Sequence, residues 1–517
     1  MRRSVVAAPS AQSADAGRAV AESGGSAVDV AIAATLAAMT TELGIVSGGG
    51  GAYLTIVAPG HDAVVIDGYV EMPGRGRASD RPVSVDLASM EYGGGVDTYV
   101  GWGSVATPGA LAAFEHAWRR FGTSTWPELL EPSIALAEDG FSVSSASAYY
   151  LGFSHDVVYG WDPETVPVYH RSDGSAVSEG DIVTNPPLAD TWRTVARNGA
   201  SVLMTGELGD ALALASHDRG GLITRRDLSE YRVVERPPLV STVGDWRVAT
   251  NAPPAVGGIT MTALLRLTRE SEHTSRHPRA VADHAEAQAA VFGHRRTALD
   301  GDRDRLAASS DLLASIADGG FAQASGAPST VHVSAVDTDG VACAITASAG
   351  YGAGVTIPGT GFGLNNCLGE IELTSEGLHA LAPGTRLMSN MAPTIATHDD
   401  GTVIAIGSPG ADRITSALAL TLHAHLVDGV PLGEAVAAPR FHVELRDDQP
   451  TLAYEPGVDV GLADGFALRP FDDLSMFFGG VQAARRNADG SLDGFADPRR
   501  AGDVRIGGTD HVRRGDT

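Results

Sequence analysis

The 517-residue chain contains no lysine; all 37 of its basic residues are arginine. That absence removes whole classes of chemistry. A P-loop nucleotide site, a pyridoxal Schiff base, a Ser–Lys dyad and a protein-kinase site each require a lysine. Cysteine is almost as scarce. Cys343 and Cys367 are too few for a thiolate metal site or a disulfide framework and could form one bridge at most. Reduced thiols are the simpler expectation. No G-x-S-x-G segment occurs, which argues against a serine α/β-hydrolase. No H-E-x-x-H segment occurs either, and the spacing of His284 and His294 along one predicted helix does not suit a zinc site, so no metal is expected. Basic charge is in deficit overall: 63 acidic residues give a net charge of −26, which repels nucleic acid and anionic membranes. Long apolar runs are also missing. The longest, 27–39, is broken by Asp29 and Thr35, is too short to cross a bilayer and reads as a buried core helix. The opening MRRSVVAAPS has no apolar stretch before Pro9, so the expectation is no signal peptide and a cytoplasmic location.

Glycine, by contrast, is abundant. There are 63, where average usage of ~7% would give roughly 36. The run Gly48–Gly51 has neither a G-x-G-x-x-G pattern nor a lysine beside it, so it reads as a turn packed tightly on core strands. Apolar periodicity predicts two helices over 11–40, a strand over 52–57, and helical structure over 110–150, 208–217 and 259–297, the last interrupted near His277–Pro278. An apolar strand ending in GSPGAD is expected to lead into a helix over 413–428.

The composition turns small and polar near 318–330, and then a β-hairpin is written plainly. TVHVSAV alternates from Thr330, DTDG turns, and VACAIT alternates again. A linker that delivers Ser329–Thr330 to the head of a strand has a chemical meaning. Cleavage of that bond would leave Thr330 with a hydroxyl nucleophile and a free α-amino group, whose reference pKa of about 7.7–8.0 suits a general base near neutrality.

The surroundings of this hairpin give it weight. GGSAVDVAIAATLA (24–37), VATPGALAAFEHAWRRFGT (105–123), GGLITRRDLSEYRVVERPPL (220–239), APPAVGGI (252–259), STVHVSAVDTDG (329–340), GAGVTIPGTGFGLNN (352–366), RLMSNMAPT (386–394) and GSPGADRIT (407–415) occur in that order. Through them the chain resembles the γ-glutamyltransferase (γ-glutamyltranspeptidase) family of N-terminal-nucleophile hydrolases. The resemblance implies a four-layer α-β-β-α sandwich and a precursor that cuts itself before Thr330. It would give a large subunit, 1–329, and a small subunit, 330–517, that remain associated. It also implies Thr330 as nucleophile, Ser348 as a supporting hydroxyl, and the N–H groups of Gly410 and Ala411 as an oxyanion hole. Ser389, Asn390 and Asn366 belong to the implied donor site, with Glu370 pairing the donor's α-amino group.

Departures from the family pattern concentrate in that donor site. Val331 stands where a second Thr is common, and Val70 where an arginine that grips the donor α-carboxylate precedes Glu71–Met72. Cys367 replaces a polar residue after Asn365–Asn366, and the segments 348–354 and 370–386 are short. Amide-cleaving machinery is therefore expected intact and the glutamate-recognising pocket remodelled, with γ-glutamyl donors bound weakly. Arg75 or Arg77 could replace the missing arginine, although solvated loop arginines are the plainer expectation. His332 shares a strand face with Thr330, and either an approach to the site or a structural role fits it. Cys367 is expected as a small buried lining residue. No cofactor is implied. The expected partner is a small γ-glutamyl or other acyl-amide substrate, not nucleic acid or a membrane; a further homo-oligomer is compatible with this.

Overall fold

The computed structural model describes residues 2–78, 80–269, 271–295, 308–309, 312–313, 330–374, 376–445 and 449–508. Thirteen strands build two large sheets: β1 (Ser4–Ala8), β2 (Gly51–Val57), β3 (Val64–Gly68), β4 (Val234–Arg236), β5 (Leu239–Val243), β6 (Trp246–Thr250), β7 (Val331–Asp337), β8 (Ala342–Ser348), β9 (Thr394–His398), β10 (Val403–Gly407), β11 (Gln482–Arg486), β12 (Leu492–Ala496) and β13 (Asp503–Gly507). The first sheet runs β13-β1-β7-β8-β2-β3-β4 and the second β12-β11-β10-β9-β6-β5, every neighbouring pair antiparallel. Each sheet draws strands from both sides of Thr330.

Side-chain alternation assigns the layers. On β7, Val331, Val333 and Ala335 pack with helices α1 (Ala11–Glu22) and α2 (Ala27–Thr41) in one apolar cluster, while Val336 faces the second sheet. On β10, Ile404 and Ile406 pack with α3 (Gly257–Thr268), α4 (Pro278–His294) and α5 (Arg413–Leu422), and Ala405 faces back. The layer between the sheets is made of Val5, Val336, Ala342, Ala344, Ile395, Ala405 and Ala484. Residues this small let two sheets stack closely. The result is the expected α-β-β-α sandwich.

The apolar run 27–39 forms α2, buried along its whole length. Its start is fixed by a capping box, Ser26 with Asp29, and by Asp337 at the far end of β7, whose carboxylate accepts from the Ala27 N–H at 3.1 Å. No described helix is long and apolar enough to cross a membrane. Two expectations need correction. The helical stretch 110–150 is broken by a short strand, Phe141–Ser142, because Gly140 at φ +105 ends the preceding helix. Helix 413–428 loses its regular hydrogen bonding at His423, where a wider turn covers His423–Val427. The small polar segment before Thr330 lies outside the described residues.

Candidate active site

The site begins where β7 begins. β7 and β8 pair with Val331 opposite Ala347; Thr330 directly precedes Val331, and Ser348 directly follows Ala347 at the end of β8. Ser348 pairs on its other side with Gly51. Thr330 and Ser348 are both buried, and the Ser348 Oγ accepts from the Gly350 N–H at 3.1 Å. The glycine run is packed as expected: a Cβ on Gly50 would fall 2.3 Å from the Ser348 carbonyl oxygen, and one on Gly51 would fall 2.8 Å from the Val70 nitrogen.

Strand parity places His332 on the same inter-sheet face. Its Nδ1 and Nε2 lie 2.8 Å from the hydroxyls of Thr346 and Ser334, and Ser334 donates onward to the Gln482 carbonyl. That chain makes Nε2 the protonated nitrogen of a neutral ring, and burial pushes its pKa down to about 3. His332 is thus a hydrogen-bonded structural residue. Its ring covers Gly407, where any Cβ would fall 2.2 Å from the imidazole.

Gly407 ends β10, and the chain runs on through Ser408, Pro409, Gly410 and Ala411 into α5. Gly410 has φ +120, and a Cβ there would meet the Gly479 Cα at 2.7 Å. Ala411, fully buried, has φ +68, a conformation L-residues adopt at a cost of about 1–2 kcal/mol. Ser408 braces the turn, donating to the Pro409 carbonyl and accepting from the Gly480 N–H. The N–H groups of Gly410 and Ala411 meet no acceptor among the described residues. They lie at the N-terminus of a ten-residue helix, where partial positive charge accumulates.

The third wall is made of loops. Asn366 accepts from the Tyr351 N–H and donates to Thr98 Oγ1 and the Tyr99 carbonyl. Its amide braces the scaffold on three bonds. Glu370 is fully buried, and neither carboxyl oxygen has a hydrogen bond of normal geometry to a described residue. Burial raises its pKa to about 8, which the nearby Cys367 thiol offsets only in part. Gly350 separates Glu370 from Ser348: a Cβ there would lie 2.3 Å from the Asn366 Oδ1 and 3.1 Å from a Glu370 oxygen. Cys367 is buried beside the Tyr69 hydroxyl at 3.8 Å, and burial, with the Glu370 carboxyl next, raises its thiol pKa well above the ordinary range. It is a lining residue and a poor nucleophile.

Val70 pairs through its carbonyl with the Leu387 N–H at 3.1 Å, at the start of the segment that carries Ser389 and Asn390. The Ser389 carbonyl accepts from Val256 and Gly257, which open α3. Neither candidate replacement arginine is simply solvated. Arg75 is held by Glu71 at 3.0 Å, Glu230 at 3.4 Å and Asp227 at 3.6 Å, and Arg77 donates to the carbonyls of Arg81 and Pro82. Arg386 is buried against Asp67 and Glu71 and donates to the Tyr69 and Arg232 carbonyls and the Tyr231 hydroxyl. Arg295, which closes α4 and is 6% exposed, donates to the Asn390 Oδ1. Sequence reasoning passed over it. An arginine ending an amphipathic helix is indistinguishable from one placed to complement the helix dipole. His284 stacks edge-on against His423 at 4.6 Å, and burial lowers its pKa to about 3. Ser329 lies outside the described residues.

Comparison with known proteins decides what this architecture is. The model of the family described as Gamma-glutamyltranspeptidase matches residues 13–506. The chain belongs to the gamma-glutamyltranspeptidase family. It is an enzyme of that family. It is 27% identical to the glutathione hydrolase proenzyme of Escherichia coli (strain K12), over 98% of this chain and 92% of that one. It is 30% identical to the Acylase ACY 1 proenzyme of Pseudomonas sp. (strain SE83), over 93% and 89%. Its fold superposes on the crystal structure of cephalosporin acylase from Bacillus halodurans with a TM-score of 0.79, at 22% identity and over 98% and 96% of the two chains. This chain and that acylase thus share the sandwich fold.

Proposed function

We propose that this protein is a self-processing amidohydrolase or acyltransferase in which Thr330 is the nucleophile. The observation that carries the proposal is the placement of strand ends: Thr330 at the head of β7 and Ser348 at the end of its partner β8 on one sheet, and the Gly410–Ala411 turn continuing the strand beneath His332 on the other. In the precursor, the Thr330 hydroxyl attacks the Ser329 carbonyl, the acyl group shifts from nitrogen to oxygen and frees the Thr330 α-amine, and water hydrolyses the resulting ester to the Ser329 carboxylate and the Thr330 hydroxyl. That amine then serves as the base for substrate. It takes the hydroxyl proton as Oγ attacks an amide carbonyl, and the N–H groups at 410 and 411 receive the oxyanion. The protonated amine gives its proton to the departing amine, and the acyl-enzyme ester passes to water or to an acceptor amine. Because both sheets contain strands from either side of residue 330, the two subunits stay interleaved after the cut.

For the donor, γ-glutamyl compounds such as glutathione are the first reading, with Glu370 receiving the α-amine. A different acyl amide is the second, favoured by Val70 and by Cys367 beside Glu370. The cytoplasm is the proposed compartment. A denaturing gel with N-terminal sequencing of the smaller band tests processing: the expected sequence begins TVHVSA. A single 53.2 kDa chain that retains activity would overturn the mechanism. Assay of a γ-glutamyl anilide beside an uncharged acyl anilide separates the two donors.

A further inference from the structure

Resting on the reading of this site as an acyl-donor pocket, we infer that Arg295 binds the free carboxylate of the donor, replacing from helix α4 the arginine absent at Val70. At position 70 the pocket wall is kept and the charge is lost: Val70 still pairs with Leu387, but its side chain belongs to an apolar cluster. The segment that leaves Leu387 carries Asn390 three residues on, and there a buried guanidinium arrives from a different element, with Nη1 on the Asn390 Oδ1.

That contact orients Asn390 as well as Arg295. With Oδ1 turned to the guanidinium, Nδ2 is presented as a donor, and this buried N–H₂ has no hydrogen-bond partner among the described residues. An amide N–H beside a guanidinium is a donor set suited to a carboxylate, which accepts at two oxygens. Arg75 is held by Glu71, Arg386 by Asp67 and Glu71, and Arg413 by Asp412 and the Phe477 carbonyl. Glu370, buried with both oxygens unbonded to described residues, supplies the complementary acid. A buried acid at Glu370 and a buried guanidinium at Arg295, each beside residues assigned to the donor site, fit a donor that carries both an amine and a carboxylate, and they favour the γ-glutamyl class over an uncharged acyl group.

The test compares wild type, Arg295→Gln and Arg295→Lys on a γ-glutamyl anilide and on the 4-aminobutanoyl anilide, which has the same scissile amide and amine and no carboxylate. In Arg295→Gln, KM for the γ-glutamyl donor should rise about tenfold or more with kcat held within about threefold, and the carboxylate-free donor should be unaffected. Arg295→Lys should fall between. Equal losses on both donors, with a lowered melting temperature, would make Arg295 a structural brace and overturn the inference. Calorimetric titration with L-glutamate reads the same contact without turnover. Binding by wild type that is lost in Arg295→Gln supports the inference; equal binding by both, or none by wild type, overturns it. Wild type inert to both anilides would refute the amide-cleaving reading and leave Arg295 to be decided by the titration.

Discussion

The two ends of this cleft are built from different material. Thr330, Ser348 and the Gly410–Ala411 turn sit on or directly beyond strand ends of the two central sheets, held by ladders of buried backbone hydrogen bonds. The proposed donor end is assembled from a loop (Asn366 to Glu370), an extended segment (Arg386 to Asn390) and the residue that closes a helix (Arg295). A residue on a sheet edge is positioned by its neighbours' registers, and one substitution cannot move it without disturbing the ladder. A loop residue is positioned by a few side-chain contacts that can be exchanged. The departures from the family pattern fall accordingly: at the strand-borne end, Val331 beside Thr330 and Ala for Gly at 411; at the loop-borne end, a lost arginine, a cysteine in place of a polar residue and shortened segments.

Substitutions at the strand-borne end should have the largest effects. Thr330→Ala should remain a single 53.2 kDa band on a denaturing gel and show no turnover, since both processing and acyl transfer need the hydroxyl. Within the turn, Gly410→Ala forces a Cβ to 2.7 Å from the Gly479 Cα at φ +120. Loss of an oxyanion donor typically costs 10²–10³ in rate, so kcat should fall by about a hundredfold or more, with a lowered melting temperature. Ala411→Gly is the paired control: relief of φ +68 is offset by glycine's extra chain entropy, so activity should persist and stability should move by no more than ~1 kcal/mol.

At the loop-borne end the effects should be smaller and selective. Glu370, with its pKa raised by burial to about 8, is protonated in the folded protein and ionised in the unfolded chain between the ordinary carboxylate range and that value. Its contribution to stability is therefore full below pH about 4.5 and lost as pH rises toward 8. Thermal melts of Glu370→Gln against wild type should diverge in the variant's favour as pH increases across that window. The same ionisation predicts that KM for an amine-bearing donor falls between pH 6 and 8, because an ammonium pairs with the carboxylate form. A flat KM profile would sever Glu370 from donor binding. Val70→Arg, adding a second cation beside Leu387, should lower KM for γ-glutamyl donors a few-fold and leave an uncharged acyl anilide unchanged. A micromolar KM in wild type would mean the carboxylate is already gripped, as Arg295 would grip it. The smallest effect concerns the thiols. Cys343 and Cys367 are buried, free and raised in pKa by burial, so native protein should react slowly with a thiol reagent and unfolded, unreduced protein should yield two equivalents.

Legibility followed the same division. The hairpin at Thr330 could be read from strict alternation and a DTDG turn, and α2 from an apolar run, because each is encoded by adjacent residues. The packing of Gly48–Gly51 was legible for the same reason. His332 was readable only as a pair of alternatives; the hydroxyls of Thr346 and Ser334 decided for a structural ring. Ser4–Ala8, met as a terminal decapeptide without a clear pattern, became a strand between β7 and β13 in the first sheet. Arg75 and Arg77 were read as loop residues, and the carboxylates that hold Arg75 came from positions 227 and 230, beyond any local window.

What the amino-acid order determined alone is whatever a short stretch can specify: the alternation of β7 and β8, the helices with their caps, the absence of lysine chemistry and the scarcity of thiols. Tertiary structure decided the rest, because long-range contacts set it. Folding buried Thr330 at the head of β7 beside the strand that ends in Ser348, made Ala411 adopt a left-handed conformation, raised the pKa of Glu370 by enclosing it, and carried Arg295 to Asn390. Burial and juxtaposition are properties of the packed chain, and in a sandwich whose sheets interleave strands from all along the sequence no local pattern encodes them.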